Sequence, residues 1–281
     1  MLIEKKYRIW IKVLTYSVLV VFGLYTLFPF LWMVSTSFKP TDEVRSASPS
    51  FFTSNPTAEH YYNILALSKF SLYFLNSLKV ASITTMLAIL LSVFSAYALS
   101  RLNRVRGVRY VSTGMMLTQL IPSVLLVLPL YVFMMKTQLL DTFYSLIIAY
   151  TTFMLPMCVM MLKGFFDSIP YEMEESAMID GCSRLGIVVR MIIPLSLPSI
   201  IATSLFAFVG AWNEFLFAFT FINKDEFRTL TPGLSLLRGL FTTDWGSLMA
   251  ASVLSVVPIA LAFAYLQRFL VAGLTAGSVK G

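Results

Sequence analysis

Long apolar runs bounded by basic residues limit what this chain can become. A helix that crosses a bilayer needs about 20 mostly apolar residues. Six stretches reach that length, roughly 13–37, 72–99, 110–135, 143–163, 199–222 and 248–272. Only 12% of the 281 residues are charged, about half the share of a soluble domain, so lipid is the expected solvent. The expected fold is an all-α membrane protein of six transmembrane helices, forming a single domain over 1–281. The first run follows Lys5, Lys6, Arg8 and Lys12 as in a signal peptide. Its apolar part is too long for one, and FPFLWMVSTSFKP follows where a small-residue cleavage site would stand, so it reads as an uncleaved first span.

Numbering the sides by alternation puts the amino terminus, 100–109, 163–198 and the carboxyl tail together. These segments hold 13 of the 21 Lys and Arg residues, with the tight turn RLNRVRGVR the strongest contributor. Basic residues near span ends mark the cytoplasmic face. Both termini are therefore expected in the cytoplasm, and 38–71 and 223–247 outside, with a short third loop near Lys136–Asp141. The net charge of +7 is scattered over span ends and forms no basic stripe with interleaved aromatics, so nucleic acid is not an expected partner. Cys158 and Cys182 fit no metal or redox spacing. His60, in a polar segment without a second ligand nearby, is expected as a solvated loop histidine.

Residues 174–198, EESAMIDGCSRLGIVVRMIIPLSLP, interrupt this apolar pattern with three carboxylates and two arginines. Pro170 suits a helix start, and Glu172, Glu174 and Glu175 follow at the end where negative charge complements the macrodipole. Gly181 is a natural carboxyl cap. Ser183 can cap a second helix, RLGIVVRMII, which Pro194 is expected to end. The segment 164–198 thus reads as a cytoplasmic helix–glycine–helix unit. On its first helix Met173, Ala177 and Gly181 share one small face, bordered by Glu175 and Asp180. Helices that rest on headgroups carry Lys and Arg on their polar side. This one carries acids, which favours a protein partner.

That segment resembles the EAA loop of bacterial ABC importer permeases at Glu175, Ser176, Ala177, Asp180, Gly181, Ile192, Ile193, Pro194 and Pro198. Ser176 replaces the first alanine of the pattern, and Ile193 the leucine before the proline. TSFKP (36–40), NSLKVA (76–81), AYALSR (96–101), AWNEFLFA (211–218) and AGLTAGSVKG (272–281) look like the carbohydrate branch of that family. Together they resemble its MalG-like permease subunit. The resemblance implies a type I ABC importer permease fold in the bacterial inner membrane, with the insert as a coupling helix seated in a cleft on a cytoplasmic ATPase dimer. The implied docking residues are Glu174, Glu175, Ser176, Ala177, Asp180, Gly181 and Pro194, with Glu175 pairing a basic residue of the ATPase. It also implies a second permease subunit in a heterodimer and a carboxyl tail that reaches toward the ATPase dimer interface. An extracytoplasmic sugar-binding protein would deliver a sugar or oligosaccharide and be probed by the loop at 223–247. The chain has no GxxxxGK[ST] stretch, so ATP and Mg are expected on the ATPase. The chain itself is expected to be a non-catalytic subunit without cofactor or metal.

Polar groups at membrane depth are costly, about 2.5–3.5 kcal/mol for a carboxylate at a helix centre. Glu214 is the only acid well inside an apolar run, and Thr203, Ala207 and Gly210 share its helical face with Asn213 alongside. Two roles stay open for Glu214: pairing with a neighbouring helix, or lining a path. Thr118, Gln119 and Ser123 around Pro122, and Thr151 and Thr152 before Pro156, are similar polar clusters. Trp212, Phe217 and Tyr150 offer rings to a sugar. The candidate translocation path is Gln119, Thr152, Gly210, Trp212, Asn213 and Glu214. A membrane-embedded enzyme would need clustered catalytic groups, and the chain offers one histidine and no acid–base pair. An ion-coupled secondary transporter using Glu214 is the alternative, but it leaves the polar insert without a purpose.

Overall fold

The computed structural model describes residues 5–46, 48, 50–102, 105–237 and 243–276, with side chains from 9 to 267 within those ranges. Arg104, Lys280 and the last five positions of AGLTAGSVKG lie outside the described residues, as do the side chains of Lys5, Lys6, Arg8 and Arg268. In chain order the main helices are α1 (Lys5–Ser37), α2 (Phe70–Arg101), α3 (Arg106–Thr118), α4 (Ser123–Lys136), α5 (Phe143–Phe166), α6 (Tyr171–Ile179), α7 (Arg184–Leu195), α8 (Leu197–Asn213), α9 (Leu216–Phe221), α10 (Leu230–Ser235) and α11 (Trp245–Ala276). Among the described residues four helices, α1, α2, α5 and α11, are long and apolar enough to cross a bilayer. Six are reached only when the bent pairs α3–α4 (99°) and α7–α8 (80°) each count as one span.

Two runs expected as unbroken spans are interrupted. In 110–135, Pro122 lacks an N–H and disfavours helical backbone at Ile121. The helix accordingly stops at Thr118, and Pro122 takes ψ 127° as the cap of α4. In 199–222, α8 ends at Asn213 and Glu214 adopts extended backbone (φ −67°, ψ 130°). The Glu214 carboxylate accepts the N–H groups of Phe217 (2.9 Å) and Ala218 (3.1 Å), so the acid starts α9 where a continuous helix was expected.

The chain divides into two compact units. One comprises the described residues up to 70 and those within 236–256. Along Ile9–Ser37 the most apolar window of α1 has no buried residue; a helix apolar all round is stable only against lipid or another apolar surface. The Ser- and Thr-rich segment that follows, expected as an outer loop, holds fixed contacts among its described residues. Thr57 N–H donates to the Phe38 carbonyl (2.8 Å), and the hydroxyls of Ser37 and Tyr61 are 2.8 Å apart. Thr53 and Ser50 donate to the two oxygens of Glu43 (2.6 and 2.7 Å) and hold its carboxyl below the usual range. His60 is not a solvated histidine: it is 2% exposed, with Nε2 2.9 Å from the Lys39 carbonyl. Its ring fills the space that Gly246 leaves, where a Cβ would stand 2.1 Å from Nε2.

The other unit comprises the described residues within 71–235 and from 257 onward. Its core gathers Val93, Ala96 and Leu99 of α2, Val159, Leu162 and Phe166 of α5, and Ile187, Val188 and Ile192 of α7. The polar insert therefore packs on the ends of two long helices. Each fully buried Ile, Leu or Phe contributes about 1.5–3 kcal/mol, against about 0.5–1.5 kcal/mol for a typical hydrogen bond. Burial sets the seat of the insert, and polar contacts orient it.

Candidate functional site

The helix–glycine–helix element is built as the sequence predicts at three of its four punctuation points. Pro170 precedes α6 as its cap, with φ −57° and ψ 134°, and Glu172 and Glu174 lie in the first turn. At the other end Cys182 N–H donates to the Ala177 carbonyl and Gly181 N–H to the Met178 carbonyl, both at 3.0 Å. This is a Schellman cap, and it needs left-handed backbone at residue 181; Gly181 supplies φ +85°. Ser183 Oγ then accepts from Gly186 N–H at 3.2 Å, capping α7. Pro194 departs from expectation. It does not end the helix, which continues to Leu195 through a π-helical turn over Val188–Ile192 and bends by 80° around Ser196. A proline cannot donate to the carbonyl four residues back and its ring needs room there; widening the preceding turn provides that room.

Glu175, Ser176, Asp180, Gly181 and Pro194 are exposed, while Ala177 is half-buried against the core. Met173 is exposed as well, so two members of the Met173–Ala177–Gly181 face are open. A Cβ at Gly181 would meet nothing within 4 Å. Glu174, expected among the docking residues, is a correction. It is 1% exposed, its Oε1 lies 2.6 Å from Arg101 Nε, and its Oε2 accepts from the Tyr97 hydroxyl at 2.8 Å. Both oxygens are engaged within the chain, so this carboxylate is not available to a partner.

Arg101 also donates to Ser100 Oγ (2.9 Å) and to the carbonyls of Phe166 (3.0 Å) and Ile169 (3.4 Å). Ser100 Oγ donates to Asp167 (2.6 Å), whose other oxygen pairs Lys163 at 2.6 Å. Two cations and two carboxylates thus join the ends of α2 and α5 to α6. Next to them opens a cleft of about 860 Å³, lined in part by Arg101, Asp167, Tyr171, Glu172 and Glu175. Arg101 and Tyr97 carry this arrangement; both stand within AYALSR and Arg101 is among the basic residues at span ends, but the sequence assigned neither of them this role. Their spacing of four residues at the end of an apolar run was the available signal.

The candidate path residues do not share one environment. Gln119 is exposed in the α3–α4 bend, with Nε2 3.5 Å from the Phe153 carbonyl, a weak contact. Thr152 is exposed and donates to the Ile148 carbonyl of its own helix (2.7 Å). Gly210 lets α8 approach α5, since a Cβ there would stand 2.6 Å from Met154 Cε. Trp212 is buried, stacked on Phe208 and edge-on to Phe74 with centroids 5.8 and 5.4 Å apart. It is a packing residue rather than a platform for a sugar. Asn213 is exposed at the end of α8. Glu214 caps α9, so neither oxygen is idle.

The expected outer loop 223–247 is anchored over its first half. Asp141 Oδ1 accepts from Asn223 N–H (2.5 Å) and Lys224 N–H (3.0 Å). Asn76 Nδ2 lies 2.9 Å from both the Glu226 and the Arg228 carbonyls, and Ser77 Oγ accepts from Leu230 N–H at 2.8 Å. Gly233 is pressed against Tyr73, with 2.3 Å between a notional Cβ and the ring. Residues 238–242 lie outside the described residues.

Residues 88–276 match the family described as binding-protein-dependent transport system inner membrane component. The sulfoquinovosyl glycerol transport system permease protein SmoH of Agrobacterium fabrum is 38% identical over 265 residues, covering 94% of this chain and 92% of its own. The diacetylchitobiose uptake system permease protein DasC of Streptomyces coelicolor is 36% identical over 274 residues, covering 98% of each chain. The trehalose/maltose transport system permease protein MalG of Thermococcus litoralis is 33% identical over 270 residues, covering 93% and 94%. In fold, the chain matches one from the crystal structure of a bacterial ABC transporter involved in the import of the acidic polysaccharide alginate. The TM-score is 0.81 at 21% identity, over 95% of this chain and 99% of that one. A chain with this apolar helical framework, an EAA-type insert and relatives matched over nearly its full length belongs to the binding-protein-dependent transport system inner membrane component family.

Proposed function

We propose that this chain is the membrane permease subunit of an ATP-driven carbohydrate importer, and that a separate cytoplasmic ATPase docks on its α6–Gly181–α7 element. One observation carries the docking assignment. Glu175, Ser176, Asp180 and Gly181 stand exposed on an element whose opposite side is pinned by the buried Glu174. Small side chains permit close approach, Gly181 leaves open space where a Cβ would project, and Glu175 offers a carboxylate to a basic residue. Ala177 backs this surface, and Pro194 shapes the helix behind it. The bias of basic residues supports placing this element and both termini on the cytoplasmic side of a bacterial membrane.

The names of SmoH, DasC and MalG concern sulfoquinovosyl glycerol, diacetylchitobiose and trehalose/maltose, which supports a sugar or oligosaccharide as cargo. An extracytoplasmic binding protein delivers it, and a second permease subunit forms the other half of the pathway. ATP and Mg bind the ATPase, since no phosphate-cradling stretch is present here. This subunit makes and breaks no covalent bond. Gln119 in the α3–α4 bend, Thr152 within α5 and Asn213 at the end of α8, all exposed, are the residues proposed to meet the cargo.

Co-purification with the cognate ATPase tests the docking surface. Glu175→Arg combined with Gly181→Trp is expected to abolish capture while membrane insertion persists. Gly181→Asn, which tolerates left-handed backbone, is expected to retain capture. Wild-type capture by the Glu175→Arg/Gly181→Trp variant would place the ATPase elsewhere.

A further inference from the structure

We propose that α2 is a stiff connecting rod, clamped at one end to the coupling element and at the other to the 223–235 segment, so that nucleotide-driven displacement of the ATPase-docked coupling element changes the structure of that far segment. The inference rests on the docking reading above. At one end Tyr97 and Arg101 hold Glu174 of α6, and Ser100 holds Asp167. At the other end Asn76 binds the carbonyls of Glu226 and Arg228, Ser77 receives the Leu230 amide, and the Tyr73 ring packs on Gly233. Asn76 and Arg101 are 25 positions apart in one helix. At 1.5 Å per residue that is about 37 Å, more than the hydrocarbon thickness of about 30 Å. The two clamps therefore lie toward opposite faces of the bilayer.

What makes α2 suited to this is its composition. The other three long helices contain Pro29 and Gly23, Pro156 and Gly164, and Pro258 and Gly246. The two remaining apolar runs are bent by 99° and 80°. Between Phe70 and Arg101 there is neither proline nor glycine, the residues at which sharp kinks most often form. The Thr85 hydroxyl donates to the Ala81 carbonyl (2.7 Å), and the helix runs on through that turn without a break. Side-chain clamps on backbone carbonyls and on a buried ion pair fix the rod at both ends without long, free side chains. A displacement of α6 is thereby delivered to the 223–235 segment instead of being absorbed within the helix.

Hydrogen exchange on the assembled complex of the full chain with its second permease subunit and ATPase tests this. Complexes without nucleotide are compared with complexes holding a non-hydrolysable ATP analogue, and exchange is read over 224–235, including the Leu230 amide. In the wild type the nucleotide is expected to change that exchange by about fivefold or more. Asn76→Ala and Glu174→Gln should each remove the change. So should the pair Met86→Gly with Leu90→Gly, at exposed positions midway along α2; it softens the rod without touching either clamp. No change in the wild type, or an undiminished change in the Met86→Gly/Leu90→Gly pair, overturns the rod. Should Glu174→Gln fail to assemble, Asn76→Ala decides alone, because it leaves the docking end intact. Failure of the wild-type chain to hold the ATPase at all would overturn the docking reading instead, and is seen separately as loss of that subunit from the complex.

Discussion

Glu174 and Glu175 are adjacent in sequence, and about 100° of helix rotation gives them different surroundings. Glu174 turns toward α2, where Arg101 and Tyr97 engage both its oxygens; Glu175 stays in solvent. Removing one partner of a buried ion pair strands the other, at a cost of about 3–5 kcal/mol. Glu174→Ala should fall near the lower end, because Arg101 keeps two backbone carbonyls and is 12% exposed. Thermal unfolding of the purified chain in detergent measures this, with Glu175→Ala as the near-neutral comparison. Gly181→Ala places an L residue in left-handed backbone and should cost about 1–2 kcal/mol, whereas Gly181→Asn should cost less. Glu43 belongs to the same scale. Thr53 and Ser50 lower its carboxyl, so the contribution to tying down 41–57 is present above the ordinary carboxylate range and disappears as pH falls through the lowered value. Proteolysis of that segment should accelerate on acidification through that window, and Glu43→Gln should abolish the dependence.

At the scale of elements, the broken helices are where local chemistry overrode hydrophobic length. Glu214 replaces two missing intrahelical acceptors at the start of α9. Glu214→Ala should therefore cost about 1 kcal/mol and raise hydrogen exchange at Phe217 and Ala218, leaving distant amides unchanged. The packing of His60 on Gly246 gives a second test. Gly246→Ala forces a methyl into the imidazole, and overpacking of this kind costs about 1–3 kcal/mol. Combining it with His60→Ala should recover part of that loss, a coupling that unfolding midpoints of the two single variants and the double variant would reveal. Trp212 and Glu214 share one lesson. Aromatic and acidic residues in an apolar run suggested a sugar path, yet ring stacking and capping are satisfied first by the chain itself.

For the whole molecule, the decisive assay is transport. The purified chain alone in liposomes should move no sugar under a proton or sodium gradient. Together with the ATPase, the second permease subunit and the binding protein, it should move sugar at the expense of ATP. Uptake by the lone chain would favour the ion-coupled alternative, for which Glu214, already occupied by two amides, is poorly placed. Much of the architecture was legible because membrane helices answer to length and apolarity, which are properties of contiguous residues. Gly181 and Ser183 were legible for a similar reason: caps are set within a few positions. The Arg101–Glu174 pair spans 73 positions and the Asn76–Arg228 contact 152, and no local pattern announces such partners.

The sequence by itself determined that this chain is helical, that it belongs in lipid, and that an acidic, glycine-capped insert stands apart from the apolar runs. Those outcomes follow from hydropathy and backbone preference, which act over one turn or one span. Tertiary structure alone decided which glutamate faces inward, and that His60 and Trp212 are packing residues. Each of these depends on what lies opposite in space, because a charge or ring near membrane depth is satisfied by whichever neighbour the fold brings within contact distance.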